Sequence, residues 1–189
     1  MARPSVREQL VEGAVECFHL RGFNGTGIQD IARAAGVPKG SVYNHFASKE
    51  DLAAEVLERY AASRDLARLD DPALAPLPRL RAHFAYLADD LERFSFERGC
   101  LFGTFGAELS NQSDMLRDRV EAGLAAWTEA VVRVLDEARA AGDLTGPPDP
   151  ERLGPFLVEA WEGAVLRAKV TRSRDPLDGF FTVLDALIA

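Results

Sequence analysis

Between Lys39 and Lys49 the chain reads KGSVYNHFASK, and most of its side chains there are of hydrogen-bonding types. Lysine suits the O6 and N7 acceptors of guanine and asparagine suits adenine, so Lys39, Ser41 and Asn44 are placed to reach base edges. Tyr43 and His45 would bond or pack against a nucleic-acid backbone, and Lys49 would neutralise a phosphate. Catalytic groupings are missing by comparison. The three histidines (His19, His45, His83) are scattered, and no metal-ligand spacing exists. The one candidate nucleophile, Cys100, has no paired histidine in sequence reach. The expected chemistry is recognition rather than turnover, with no cofactor.

These residues need a frame that presents them. Ile28, Ile31 and Ala32, with Ala34 and Ala35 one turn on, repeat at helical spacing and give a short helix one apolar face. Gly36 stops that helix, because a residue without Cβ takes the left-handed conformation at no steric cost. Pro38 suits the first position of a new helix, expected over Pro38–Phe46 and too short to stand alone. A polar helix held across a supporting helix by a glycine turn is the geometry that enters the major groove. Thr26 and Gln29, at the start of the supporting helix, and Gly40 are added to the expected DNA contacts. A first helix spans Arg3 to Arg21 with the stripe Val6, Leu10, Val11, Ala14, Cys17 and Phe18. Cys17 reads as a small core residue, and Arg3 and Arg7 are expected to reach phosphate. Ser48 caps a fourth helix, with acids at its positive end, running to about Leu69.

The stretch DDPALAPLP, Asp70 to Pro78, is the clearest boundary, because three prolines in so short a span cannot be helix interior. Helices then follow over Arg79–Glu97, Gly99–Leu109, Ser113–Ala141, Pro150–Arg172 and from Asp175 onward. Gly99–Leu109 is apolar nearly all round and reads as buried, with Gly103 and Gly106 admitting neighbouring backbones. The fold class is all-α, with about nine helices. Residues 1–50 form a helix-turn-helix domain, the helix over 48–69 connects, and 70–189 form a second helical domain. Trp161, Val165, Phe180, Phe181, Leu184 and Leu187 are more apolar surface than one small body needs, which points to a homodimer.

The 189 residues are 47% apolar and 28% charged, ordinary for a globular protein. No apolar run is long enough to span a bilayer and no signal peptide is visible. Two cysteines are no disulfide framework, so a reducing cytoplasm is expected. The net charge of −8 alone argues against nucleic acid, but it is unevenly spread. Residues 1–50 hold six of the 22 basic and five of the 30 acidic side chains, about +1, against about −9 for the rest. Two of only three lysines, Lys39 and Lys49, flank the expected recognition helix. A non-acidic end on an acidic body suits a protein that docks by that end.

The pattern AxxxF-x3-GF at Ala14 to Phe23, followed by DIAxxAGV and SVYxHFxSKexL, resembles the helix-turn-helix of TetR-type transcriptional regulators. Gly27 and Pro38 depart from it, standing where a Ser or Thr cap and a Ser are common. The resemblance implies an N-terminal DNA-binding domain, a C-terminal domain that binds a small-molecule effector, and a homodimer on a double-stranded, palindromic operator. It also implies that effector binding moves the helix after Ser48. The segments GCLFGTFGAELSN and EAWEGAVLRAK are similar to a branch that includes N-ethylmaleimide-responsive and acrylate-responsive repressors. In that branch a cysteine follows the glycine opening the sixth helix and a lysine sits in the eighth, positions taken here by Cys100 and Lys169. Lys169 shares a stripe with Val158, Glu162 and Val165, so its ammonium should point inward, which is costly without a partner. An ammonium near a thiol raises the thiolate fraction, the species electrophiles and oxidants attack, and a sulfenic acid can condense with a nearby nitrogen. Phe84, Leu87, Phe102, Phe105, Trp127 and Trp161 are the expected pocket walls. Two alternatives stand beside this reading: a non-covalent effector with a structural Cys100, and a helical interaction module without specific DNA binding. The set Lys39, Tyr43, His45 and Lys49 argues against the second.

Overall fold

The computed structural model describes residues 5–146 and 148–188, and among them the chain forms helices and no strand. The α-helices are α1 Val6–Arg21, α2 Ile28–Ala34, α3 Gly40–Tyr43, α4 Lys49–Ser63, α5 Pro76–Arg93, α6 Leu101–Leu109, α7 Asp114–Ala141, α8 Pro150–Thr171 and α9 Asp175–Leu187.

Local chemistry sets the boundaries, several of them away from the expected places. Ser5 Oγ accepts the Glu8 N–H at 3.2 Å and the Glu8 carboxylate accepts the Ser5 N–H at 2.7 Å. This reciprocal cap opens α1 at Val6; Arg3 lies outside the described residues. At α2 the Gly27 N–H donates to Asp30 at 3.0 Å, half of the same arrangement, since glycine has no side chain to complete it. Gly36, at φ +68°, closes α2, with Val37 N–H donating to Ala32 and Gly36 N–H to Arg33. Those are the paired bonds of a Schellman ending. α3 proper covers one turn rather than Pro38–Phe46; its flanks wind mostly by tighter bonds, Ser41 N–H to Pro38 and His45 N–H to Val42, with Phe46 N–H also donating to Val42. α4 stops at Ser63 because Asp65 is left-handed at φ +51° and a 3-10 turn, Leu66–Asp70, takes over. α5 starts inside the proline stretch, at Pro76, since the first turn has no intrahelical acceptor waiting for its N–H groups.

The helices form two compact units, one comprising the chain up to Ser63 with Leu101–Ala122, the other Arg64–Cys100 with Gly123–Ala189. The first is built on Leu10, Ala14 and Phe18 of α1, Ile31 of α2, Leu52 and Val56 of α4, and Phe105 of α6. α6 is one-sided rather than buried all round: Leu101, Phe102, Phe105 and Leu109 face in, while Gly103 and Ala107 are exposed. Gly106 meets only the Val120 side chain, at an ordinary 3.6 Å from where a Cβ would sit, so no backbone passes close there. The second unit's core joins α5, α7, α8 and α9 around Phe84, Val131, Trp161 and Phe180. Trp161, Val165, Phe180, Phe181 and Leu184 are buried in that core, so they are not the surplus surface the sequence suggested.

Candidate nucleic-acid interface and effector site

Two apolar side chains anchor the recognition element. Val42 and Phe46 are buried, and helical spacing then turns Lys39, Gly40, Tyr43, Asn44 and His45 outward, all exposed, with Ser41 half-buried beside them. Tyr43 is 58% exposed. Gln29, on α2, is also exposed. A hypothetical Cβ on Gly40 meets nothing within 4 Å, so its backbone is open to approach.

Three of the expected DNA contacts sit elsewhere. Thr26 is 1% exposed, and its hydroxyl donates to the Gly22 carbonyl at 2.7 Å and lies 3.2 Å from that of Cys17. It closes the α1–α2 turn and touches no solvent-facing partner. Lys49 donates to the Phe23 and Thr26 carbonyls at 2.9 and 3.0 Å and lies 3.9 Å from the Phe23 ring centroid. Burial lowers its pKa, with Glu108 and Glu50 opposing. The ammonium that sequence assigned to a phosphate is occupied by the turn carbonyls, of which that of Phe23 also accepts the Thr26 N–H at 3.1 Å. Arg7 likewise pairs with Glu55 and lies over the Phe46 ring. Glu108 of α6, unmarked in the sequence, accepts the Asn24 N–H at 2.7 Å and fills the space beside Gly22.

In the second unit, Cys100 is half-buried and packs against the core. It shares a hydrogen bond with Glu162, whose carboxyl burial holds above the ordinary carboxylate range, the Cys100 bond and the Arg64 charge pulling it back. Glu162 Oε1 is buried with no hydrogen-bond partner. Lys169 runs past Gly99, its Cδ 3.3 Å and Nζ 3.9 Å from where a Cβ on that glycine would lie. Cys100, Glu162 and Lys169 therefore gather in one region of α8 and the residues before α6.

The expected aromatic wall divides. Phe84, Trp127 and Trp161 come together, Phe84 lying 6.1 and 5.2 Å from the two indoles. Phe102 and Phe105 belong to the first unit, where Phe105 packs edge-on to Phe18 at 5.3 Å and Phe102 on Tyr60 at 5.3 Å. The buried face of α6 serves α1 and α4, so these two rings stiffen the first unit. Sequence reasoning passed over His83, whose Nε2 accepts the Trp127 Nε1–H at 2.9 Å. The signal was its place on the α5 stripe, between Leu80 and Leu87. No group of three His, Cys, Asp or Glu among the described residues is placed to hold a metal ion. No described helix is long and apolar enough to cross a membrane.

Residues 10–56 match the tetR family of bacterial regulatory proteins and residues 76–184 the tetracyclin repressor-like C-terminal domain. The chain is 39% identical to the transcriptional repressor DhaR of Mycobacterium sp. strain GP1, over 97% of this chain and 92% of that one. It is 36% identical to the transcriptional regulator AcuR of Cereibacter sphaeroides, over 92% and 80%. Among solved structures, a regulatory protein TetR from Rhodobacter sphaeroides superimposes with a TM-score of 0.92 at 33% identity, covering 97% and 99% of the two chains. The reduced form of NemR from E. coli gives 0.87 at 30% identity, covering 97% of each. With its outward polar helix on an all-helical frame, this chain belongs to the TetR family of transcriptional regulators, DNA-binding proteins rather than enzymes.

Proposed function

We propose that this protein is a cytoplasmic repressor that binds a palindromic operator as a homodimer through residues 1–50. A small-molecule effector, a reactive electrophile or oxidant met at Cys100, engages the 70–189 region and releases it. The observation that carries the operator reading is the exposed set Lys39, Gly40, Tyr43, Asn44 and His45, fixed from behind by Val42 and Phe46. DhaR and NemR, both described as repressors, support the sign of regulation. The dimer is supported by a second apolar set on α8 and α9, namely Phe156, Leu166, Val170 and Val183, all exposed.

The effector reading rests on the gathering of Cys100, Glu162 and Lys169. A cation beside a thiol favours thiolate. With an enone, the sulfur bonds to the β-carbon and the π electrons pass to the carbonyl oxygen. The proton lost by the thiol ends on the α-carbon, and nothing is oxidised. The test is an operator selected from a random DNA pool and then challenged with 2-cyclohexenone. Wild-type protein is expected to release it and Cys100→Ser to hold it. Equal release by both would remove the thiol from the mechanism and leave a non-covalent effector. No preference for any inverted repeat over scrambled duplex would overturn the operator reading itself.

A further inference from the structure

His83 is fully buried on α5, 0% exposed, and its Nε2 accepts the Trp127 indole N–H at 2.9 Å. An indole nitrogen can only donate, so Nε2 carries the lone pair and the proton of the neutral ring sits on Nδ1. The ring is held neutral by burial, with the Arg64 and Arg68 charges adding and Asp65 opposing, so that its pKa falls to about 4. Nδ1–H is therefore a fixed donor, and no acceptor among the described residues meets it. Its immediate surroundings are aromatic: the Phe84 and Trp127 rings stand edge-on to the imidazole, 5.6 and 6.0 Å away. Packing alone would be met by phenylalanine here, on a stripe that is otherwise Leu80, Phe84, Leu87 and Leu91. An unpaired, fully buried donor is rare in native proteins and calls for an explanation.

We propose that His83 Nδ1–H is the donor through which the second unit recognises the carbonyl oxygen of a small, otherwise apolar molecule. The aromatic edges suit an apolar body, and the Arg64 and Arg68 charges favour the partial negative charge of the oxygen. A ligand group that is itself only a donor is rejected by the N–H it meets. The inference rests on the effector-binding reading of this unit and states what that effector must carry. A site whose buried polar group is left unpaired by an analogue discriminates strongly against it.

Cyclohexanone and methylenecyclohexane are nearly the same shape, differ in the acceptor oxygen and leave thiols unmodified. Their comparison is thus independent of both Cys100 and DNA. On 15N-labelled full-length protein, cyclohexanone is expected to shift the His83 Nδ1–H resonance and to bind at least about tenfold more tightly than the hydrocarbon, about 1.4 kcal/mol. His83→Phe should bind the two alike. Trp127→Phe keeps the imidazole but frees its tautomer, and should narrow the preference; it also serves if His83→Phe does not fold. Cyclohexanone that leaves the resonance unmoved, or binds no better than the hydrocarbon, would overturn the proposal, as would an undiminished preference in folded His83→Phe. Operator release that fails while the ketone preference persists counts against the proposed sensor function and supports the role of His83.

Discussion

Lys49 shows how residue type and residue role part company. Its two carbonyl acceptors and the Phe23 ring hold the start of α4 against the α1–α2 turn, and hydrogen bonds from a charged donor contribute about 1.5–3 kcal/mol each when well made. Lys49→Ala should therefore lower the thermal midpoint by several degrees and leave the salt slope of DNA binding in place, while Lys39→Ala should leave the midpoint in place and relax the preference at one base pair. Melting curves, a salt titration and binding to base-substituted operators on both variants check this. A Lys49→Ala protein with wild-type stability and a flattened slope would restore the phosphate role. His83 makes a prediction in pH. Its folded pKa, about 4, lies below the ordinary value of 6.5, so the unfolded chain takes up a proton that the folded chain refuses. The contribution is whole above pH 6.5 and is lost as pH falls from 6.5 towards 4, a loss of order 3 kcal/mol from this one group. Urea unfolding at pH 7 and pH 5 should show a smaller loss for His83→Gln than for the wild type.

At the scale of elements, glycines separate what must be close from what must be open. A Cβ on Gly13 of α1 would lie 2.9 Å from the Ala35 nitrogen and 3.1 Å from the Ile31 carbonyl oxygen. These are backbone atoms of α2 and its ending, which cannot turn aside. Gly13→Ala should cost about 1–3 kcal/mol as an overpacked contact. Gly40→Ala meets nothing within 4 Å and should leave stability equal or slightly raised, yet weaken operator binding where the α3 backbone faces DNA. Denaturant midpoints alongside operator titrations would check the pair, and a stable Gly13→Ala protein would refute the close crossing. The same contrast explains what could be read in advance. Helix existence, the Gly36 stop and the outward face of α3 follow from spacing and backbone sterics within a few residues. The roles of Lys49, Thr26 and Phe102 do not, because they depend on which distant carbonyl or ring the fold delivers. α6 was misread for a related reason: nine mostly apolar residues have no polar face to orient them, and only the packed structure shows that Gly103 and Ala107 look outward. His83 was legible in principle, as a polar residue on an apolar stripe.

At the scale of the whole molecule, the net charge of −8 opposes DNA binding away from the head, and in the proposed homodimer two heads would engage one duplex. The surface that would join two copies is legible in exposure. On α8, Phe156, Gly163 and Val170 recur every seven residues with Leu166 on the same flank, a line about 21 Å long at 1.5 Å per residue. Val170 is 75% exposed and Val183 of α9 is 53% exposed, and a Cβ on Gly163 meets nothing within 4 Å. Apolar residues so placed are costly to leave in water, and a two-fold copy of the same line covers them without any other partner. Replacing Leu166 and Val170 by glutamate sets like charges across the axis and removes the apolar contact. Both side chains point to solvent in the isolated chain, so its fold and melting curve should survive. Sedimentation should then show a monomer for the double variant and the proposed dimer for the wild type. Operator affinity should fall by at least about 100-fold, because the second head no longer binds at the high effective concentration that linkage provides. A double variant that still sediments as a dimer would move the interface elsewhere. One that becomes monomeric yet keeps wild-type operator affinity would show that a single head is enough, and the requirement for symmetry would fall with it.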